Sequence, residues 1–478
     1  MSAGQAYDLM RAGRNAEALA PARAAVAGFD RCTAAHSLLA TILVNLGRTE
    51  EAWAVIEAAA AMPRSDAVAC DGLAHACLRL GRHQAAHALY ARAADLAPRD
   101  AARWYNLAAS ARALGRLDQA EAACDRAIAC DPAHSASYLL RAELRVQTPA
   151  ANHVDQLHAA LARAPDQPSL GYALAKELDD LGDYDAAFAA FAQAAAARRR
   201  AMAYDVATDE AKLARIAQVF DAPLDDNPAG DWPARDWPAL GPAPFVFIVG
   251  LPRSGTTLLE RMLSNLPGVA TNGETDHFAR ALLRAAPPQG ADIFARAALA
   301  DPTAVAAGYT AAASRPDAAT AIEKLPMNYL YLSAIRRALP TAGLLVLDRA
   351  PLDSCFAMFR TQFGDAYPFS YDFEDLARYF AAYTRLMAHW RDRLGLALHT
   401  VAYEDLVTTP AQTGAAAAAH CRLPWHDAAI AIETNRAASM TASAAQIRRP
   451  IYTTSLDRIA HYRRHLEPLA SALKRHGA

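Results

Sequence analysis

No run of about 18 apolar residues occurs anywhere in the 478-residue chain, so no membrane-spanning helix is expected. The opening stretch, MSAGQAYDLMRAGRN, lacks the apolar centre of a secretory signal, and the cytoplasm is the expected compartment. Neither sign of charge dominates. With 48 Lys and Arg against 50 Asp and Glu, nothing global attracts nucleic acid or an anionic membrane, so any anion site has to be local. Cysteine is scarce. The seven thiols (Cys32, Cys70, Cys77, Cys124, Cys130, Cys355 and Cys421) are odd in number and form no CxxC, which argues against a disulfide framework and against a zinc knuckle. Most of them sit beside apolar residues and read as buried free thiols. The histidines show no HExxH or similar ligand spacing, and no metal is expected. What is abundant is hydrophobic surface, at 53% of residues against 21% charged, which suits packed globular domains, two to four of them at this length.

The first half repeats itself. Gly13, Gly47, Gly81 and Gly115 recur every 34 residues, and Gly182 follows 67 later, two periods less one residue. The missing glycine falls near Pro149, in VQTPAANH. A small residue lies five positions after each glycine (Ala18, Ala52, Ala86, Ala120, Ala187), and larger side chains follow at Tyr90 and Phe191. Pro98 and Pro132 each lie 17 residues past their glycine. Glycine permits a tight turn between two helices, the small residue lets them approach, and proline stops the second. One such pair cannot bury its apolar face alone, so neighbours stack. The pattern resembles the tetratricopeptide repeat (TPR) family, as about six repeats over residues 1–220 with the fifth degenerate. The resemblance implies an all-α superhelix that binds a peptide or protein partner or self-associates, with no chemistry of its own. Arg198, Arg199 and Arg200 end an alanine-rich helix and read as a solvated C-terminal cap. Residues 221–243, rich in Pro, Asp and Gly and without period, read as a linker pinned by Trp232 and Trp237.

Chemistry enters with residues 244–478. FVFIV at 245–249 reads as a buried strand, GLPRSGTT at 250–257 as a loop, and LLERMLSNL as a helix. In that context backbone N–H groups and a helix N-terminus face an oxyanion. Gly250, Gly255 and Thr257 keep the spacing of a Walker A loop, but Thr256 stands where the lysine belongs and Arg253 lies inside the loop. A phosphotransferase needs that lysine. A sulfuryl group carries one negative charge fewer, and a single arginine without metal suffices for it.

PRSGTT after a hydrophobic strand resembles the 5′-phosphosulfate loop of sulfotransferases that use 3′-phosphoadenosine 5′-phosphosulfate (PAPS), in particular bacterial TPR-linked sulfotransferases and, more distantly, protein-tyrosine sulfotransferases. NGET (272–275), EKLPMNYLYL (323–332), DRAPLDSCF (348–356), YEDLV (403–407) and QIRRPIYTTS (446–455) extend the resemblance in the same order. It implies a P-loop-like α/β domain with a parallel sheet that takes PAPS and releases 3′-phosphoadenosine 5′-phosphate (PAP). Pro252, Arg253, Ser254, Gly255, Thr256 and Thr257 would hold the donor's 5′ end. Glu274 would be the base, or else a helix cap. Arg253 would reach the transferred group. Lys324 would be a second catalytic cation, or else the partner of Glu323 or another acid. Arg349, just past the strand LLVL, would bind the 3′-phosphate, although the serine that the family places eight residues later is Ala357 here and Ser354 is out of phase. Tyr403 would contact the adenosine part, or else fill the core. Arg448 and Arg449 would close over the 3′-phosphate or the acceptor, or else be solvated.

Glu274 is supported chemically as well, since an attacking hydroxyl must lose its proton and a carboxylate near a loop arginine is placed to take it. His277 reads as a bystander or an acceptor-side contact, and Asp372, Glu374 and Asp375 as a helix start rather than a metal cluster. The acceptor stays open among peptides, proteins and small molecules, with a hydroxyl or an amine as the nucleophile. The competing expectation is a TPR adaptor whose nucleotide domain is inactive.

Overall fold

The structure, a computed structural model, describes residues 3–29, 32–62, 66–221, 241–441 and 444–477. Most of the linker stretch, Trp232 and Trp237 included, lies outside the described residues. The chain divides into two compact units, one of Met1–Pro165 with Arg436–Ser439, the other of Asp166–Asn435 with Met440–Ala478.

The first unit is a series of helix pairs: α1 (Ala3–Arg11) with α2 (Asn15–Gly28), α3 (Thr33–Asn45) with α4 (Thr49–Ala60), α5 (Ala67–Arg79) with α6 (His83–Leu96), and α7 (Ala101–Ala113) with α8 (Leu117–Cys130). Each pair turns at its glycine, and the turns are alike. Gly13, Gly47, Gly81 and Gly115 have φ between +69° and +75°. The N–H of the next residue reaches back five positions (Arg14 to Leu9, Arg48 to Leu43, Arg82 to Cys77, Arg116 to Ala111, 2.9 Å each), the bond that closes a Schellman motif. A Cβ at Gly13, Gly47 or Gly81 would meet nothing within 4 Å, so glycine is needed there for its φ and not for space. Ala18, Ala52, Ala86 and Ala120 are fully buried, as close helix crossings require. Where the glycine is missing, α9 (Ser135–Glu143) and α10 (Val154–Arg163) are short, and a bridge between Thr148 and Ala151 links the residues separating them.

The second unit opens with one more pair, α11 (Pro168–Asp180) and α12 (Tyr184–Arg200), turning at Gly182 with φ +83°. This pair packs on the unit's own helices. Its anchor is Asp179, whose side chain is 1% exposed and accepts from Arg360 Nη2 (2.7 Å), Arg458 and the Tyr462 hydroxyl (2.5 Å). The arginines ending α12 do more than cap a helix, contrary to the sequence reading. Arg199 binds Asp375 at 2.7 Å, and Arg198 donates to the Gly364 carbonyl at 2.9 Å. α13 (Val206–Val219) follows.

Beyond it lies a five-stranded parallel sheet: β1 (Phe245–Gly250), β2 (Val269–Gly273), β3 (Thr320–Glu323), β4 (Gly343–Asp348) and β5 (Leu398–Ala402), in the order β2-β3-β1-β4-β5. Its connections carry α14 (Thr256–Ser264), α15 (His277–Ala285), α16 (Ile293–Ala298), α17 (Pro302–Ala313), α18 (Leu332–Ala338), α19 (Pro351–Phe359) and α20 (Phe373–Leu394). After β5 come α21 (Tyr403–Thr408), α22 (Pro410–His420) and α23 (Thr454–His476). β1 is buried along its whole length, so its run has no polar alternation. Val246 and Ile248 face α14 and α22, whereas Phe247 packs edge-on to Phe278 of α15 and beside Tyr309 of α17. Helices thus cover both faces. Asp372 caps α20, accepting from the Glu374 and Asp375 N–H groups as expected.

Candidate active site

Each of the five parallel strands ends at a residue or loop singled out from the sequence. Gly250 ends β1 and opens the loop, while Glu274, Lys324, Arg349 and Tyr403 directly follow β2, β3, β4 and β5. Ligands of open α/β sheets bind at this carboxyl edge. The strand order sets the residues in a row: Glu274, Lys324, the loop, Arg349, Tyr403. Four inter-strand steps of about 4.8 Å give the row a length of roughly 19 Å.

The loop is bent at three positions of positive φ: Gly250 (+148°), Arg253 (+66°) and Gly255 (+102°). For arginine that conformation is strained and costs on the order of 1–3 kcal/mol. Gly255 is needed twice, for its φ and for room, because a Cβ there would stand 2.6 Å from the Tyr403 ring. Pro252, Ser254, Thr256 and Thr257 are buried under the loop and in the first turn of α14. Arg253 donates from Nη2 to Gln446 Oε1 at 2.9 Å.

Arg349 joins the loop to Tyr403. It donates to the Arg253 carbonyl at 3.0 Å, its guanidinium lies 4.3 Å from the Tyr403 ring centre, and Asp353 is 3.6 Å away. The Tyr403 hydroxyl meets Ser455 Oγ at 2.8 Å. Tyr403 is therefore neither a plain core residue nor isolated from the loop. Two buried polar atoms here, Ser254 Oγ and Arg349 Nε, have no hydrogen-bond partner among the described residues. Leaving such atoms unpaired costs about 1–3 kcal/mol each, which a bound anion would offset. The donor set of cations, hydroxyls and loop amides fits a phosphorylated ligand, although the carboxylates of Asp348, Asp353 and Glu404 lie beside it, Asp348 accepting from the Arg349 N–H at 3.1 Å and Glu404 from the Ala350 N–H at 3.0 Å. Ala357 lies on α19, and its carbonyl accepts from the Thr361 hydroxyl at 2.9 Å.

At the other end of the row, Lys324 is fully buried and its ammonium contacts Glu274 Oε1, with Glu260 of α14 at 3.8 Å. Glu260 also takes the Thr271 hydroxyl. Lys324 does not pair with Glu323, which accepts from Asn328 Nδ2 at 3.0 Å instead. Glu274 directly follows β2 and is no helix cap; its side chain is 40% exposed, the rim partner of a buried cation. Breaking such a pair from one side costs more than the pair contributes, because the remaining charge stays buried. His277 opens α15, and burial lowers its pKa.

Arg448 lies two residues past Gln446, the partner of Arg253. It donates to the Asn435 carbonyl at 2.7 Å beside Arg261, which binds the Asn435 side chain at 2.8 Å and is brought down to about 10 by burial. Arg449 is largely exposed. Glu260, Gln446 and Ser455 are the residues the sequence reading missed. Ser455 ended a segment already singled out, and Glu260 lies one helical turn past Thr256, the one local signal for it. Among the described residues no three His, Cys, Asp or Glu side chains gather as a metal-binding group, and no helix is long and apolar enough to cross a membrane. Five of the cysteines are buried, whereas Cys32 and Cys130 are partly exposed.

Comparison with known proteins fits this layout. A protein of Aquifex aeolicus (strain VF5), itself described as uncharacterized, is 24% identical over 322 residues, 64% of this chain. The matched part is 41% of that relative, so the chain spans about two fifths of its length. Among solved structures, YrrB, a TPR protein with an unusual peptide-binding site, is 18% identical over 39% of this chain and 87% of its own, with a TM-score of 0.27. MamA from Desulfovibrio magneticus RS-1 is 16% identical over 37% of this chain and 90% of its own, also at 0.27. Residues 4–67 and 72–135 match the tetratricopeptide repeat model, and residues 244–427 match that of the sulfotransferase family. The chain thus carries tetratricopeptide repeats followed by a sulfotransferase-family domain.

Proposed function

We propose that the protein transfers a sulfuryl group from PAPS to a hydroxyl or amine acceptor. The observation that supports this reading most is the order along the sheet edge, which sets a carboxylate–lysine pair on one side of the loop and an arginine–tyrosine pair on the other. A donor lying along the edge would have its 5′ end on Arg253, Ser254, Gly255, Thr256 and Thr257, and its 3′-phosphate near Arg349, with Tyr403 beside the adenosine part. The acceptor's O–H proton passes to Glu274. The acceptor oxygen bonds to sulfur as the bond from sulfur to the 5′-phosphate oxygen breaks, and PAP leaves. Arg253, Lys324 and the loop amides stabilise the charge that builds on that oxygen. With Glu260 at 3.8 Å, Lys324 keeps a carboxylate neighbour when Glu274 is protonated.

In this reading the array runs through residue 220, the linker through 243, and the repeats bind a peptide, a protein partner or a second copy. A thermal shift with PAP but none with ATP is the expected result, followed by transfer of labelled sulfate from PAPS to components of a cell extract. Magnesium-dependent ATP hydrolysis would exclude the reading. PAP binding with no transfer to any fraction would favour the adaptor alternative instead.

A further inference from the structure

The last glycine-turned helix pair reaches the Arg349–Tyr403 end of the row through two other helices. On α11 the Tyr172 hydroxyl donates to the Phe359 carbonyl at 3.1 Å, and Asp179 accepts from Arg360 at 2.7 Å. Both contacts fall at the end of α19, the helix that begins two residues past Arg349. The same Asp179 carboxylate accepts from Arg458 and from Tyr462, both on α23. The Tyr462 ring also lies 4.7 Å from that of Phe356, centre to centre, and so joins α23 to α19 directly. The start of α23 needs such ties. Its first buried side chain is Tyr462, and none of residues 454–461 is buried, so apolar packing does not fix its first two turns. Polar contacts hold them: Ser455 Oγ with the Tyr403 hydroxyl at 2.8 Å, and Arg458 with Asp179. Ser455 and Arg458 are three apart and share one face of the helix. With the Arg349 guanidinium 4.3 Å from the Tyr403 ring centre, the contacts close a circuit. It runs from Asp179 through Arg458, Ser455, Tyr403 and Arg349, and back along α19 to Arg360 and Asp179.

We propose that Asp179 is a positioning residue for the 3′-phosphate end of the donor site: it fixes the end of α19 and the start of α23 to one another, and so sets how Arg349 is held against Tyr403 and Ser455. This rests on the reading of Arg349 and Tyr403 as the groups at that end of the donor. Asp179 touches no donor atom. It belongs to the helix before Gly182, so a residue of the repeat pattern supports the nucleotide site.

The tie is strong because it is charged and buried. Asp179 is 1% exposed, and two guanidiniums and a hydroxyl converge on it. Hydrogen bonds to an ionised acceptor are about twice as strong as neutral ones. Asparagine there keeps the shape and loses that charge, which releases Arg458 and lets the start of α23 drift from Tyr403. With alanine at 357, no side-chain hydroxyl at that position of α19 shares the 3′-phosphate with Arg349, so the aim of the guanidinium matters more.

Calorimetry on the full-length protein with PAP and with adenosine 5′-monophosphate (AMP), which lacks the 3′-phosphate, tests this without knowledge of the acceptor. The wild type should prefer PAP by about 100-fold. Asp179→Asn should cut that preference about 10-fold and leave AMP affinity unchanged. Arg458→Gln cuts the same tie from α23, at a side chain that is 34% exposed, and keeps the test open should Asp179→Asn not fold. It should shift the preference alike, and the double variant should lose no more than either single one. Asp375→Asn is the control for a merely structural role. It breaks the ion pair that Arg199 makes at 2.7 Å, and so loosens the same helix pair away from α19 and α23. It should lower the melting temperature and keep the wild-type preference. An undiminished preference in Asp179→Asn and Arg458→Gln, an equal loss for PAP and AMP, or the same loss of preference in Asp375→Asn would overturn the inference while the donor reading stands. Equal wild-type affinity for PAP and AMP would instead remove the reading of Arg349, and the inference with it.

Discussion

At the scale of single residues, the edge of the sheet gives the sharpest expectations. A general base contributes about 10²–10⁴-fold. Glu274→Gln should therefore lower turnover by that factor with PAP affinity unchanged, measured by PAP release and by calorimetry. Gly255 makes a different kind of prediction. Gly255→Ala forces both a positive φ and a clash with the Tyr403 ring, and should weaken PAP binding and lower stability by about 1–3 kcal/mol. In a Tyr403→Ala background the clash disappears and only the φ cost remains, so the two changes should be non-additive in denaturant titrations. Arg349 and Tyr403 were legible in the sequence because each follows a strand that shows as a short apolar run, whereas Glu274 and Lys324 were singled out by the resemblance of NGET and EKLPMNYLYL, and the strands before them were not foreseen. Glu260 was not legible, since its partners Lys324 and Thr271 lie on other elements and no local spacing announces such a contact. The same holds for Arg448, whose tie to Asn435 is visible only once the two loops are folded together.

At the scale of elements, α11 is held by one buried carboxylate shared between Arg360, Arg458 and Tyr462. Asp179→Ala leaves two arginines without that charge, and should destabilise the second unit by about 3–5 kcal/mol in chemical denaturation. Asp179→Asn, which retains an acceptor, should cost less. α22 offers a pH test. His420 at its end stacks on His399 at 5.2 Å, and burial lowers its pKa from 6.5 to about 4. The unfolded chain then binds the proton first, so this contribution is complete above about pH 6.5 and is lost as pH falls through about 4. It is no more than about 3 kcal/mol after allowance for solvent screening. His420→Gln should flatten the melting temperature over that window. The repeats were the most legible elements because a helix pair turning on a positive-φ glycine has one residue that is hard to replace, and it recurs. Arg198 and Arg199 at the end of α12 were misread because a basic helix end looks the same whether water or another segment receives it, while Arg200 is exposed as a solvated cap would be.

At the scale of the molecule, the two compact units meet in sequence at Asp166, within the stretch that reads as repeats and before the proline-rich one. A fragment of residues 166–478 should fold with a cooperative thermal transition and bind PAP. One of residues 221–478 lacks Asp179 and should melt lower or aggregate, as circular dichroism and light scattering would show. The placement of Gly182's helix pair has a bearing on how this protein can be recombined. An array exchanged by cutting in the proline-rich stretch would strip the sulfotransferase-family domain of a wall it packs against, whereas a cut near residue 166 keeps that wall and frees the four preceding glycine-turned pairs for exchange. Chimeras with a new array should therefore survive with the last repeat left in place as part of the second unit.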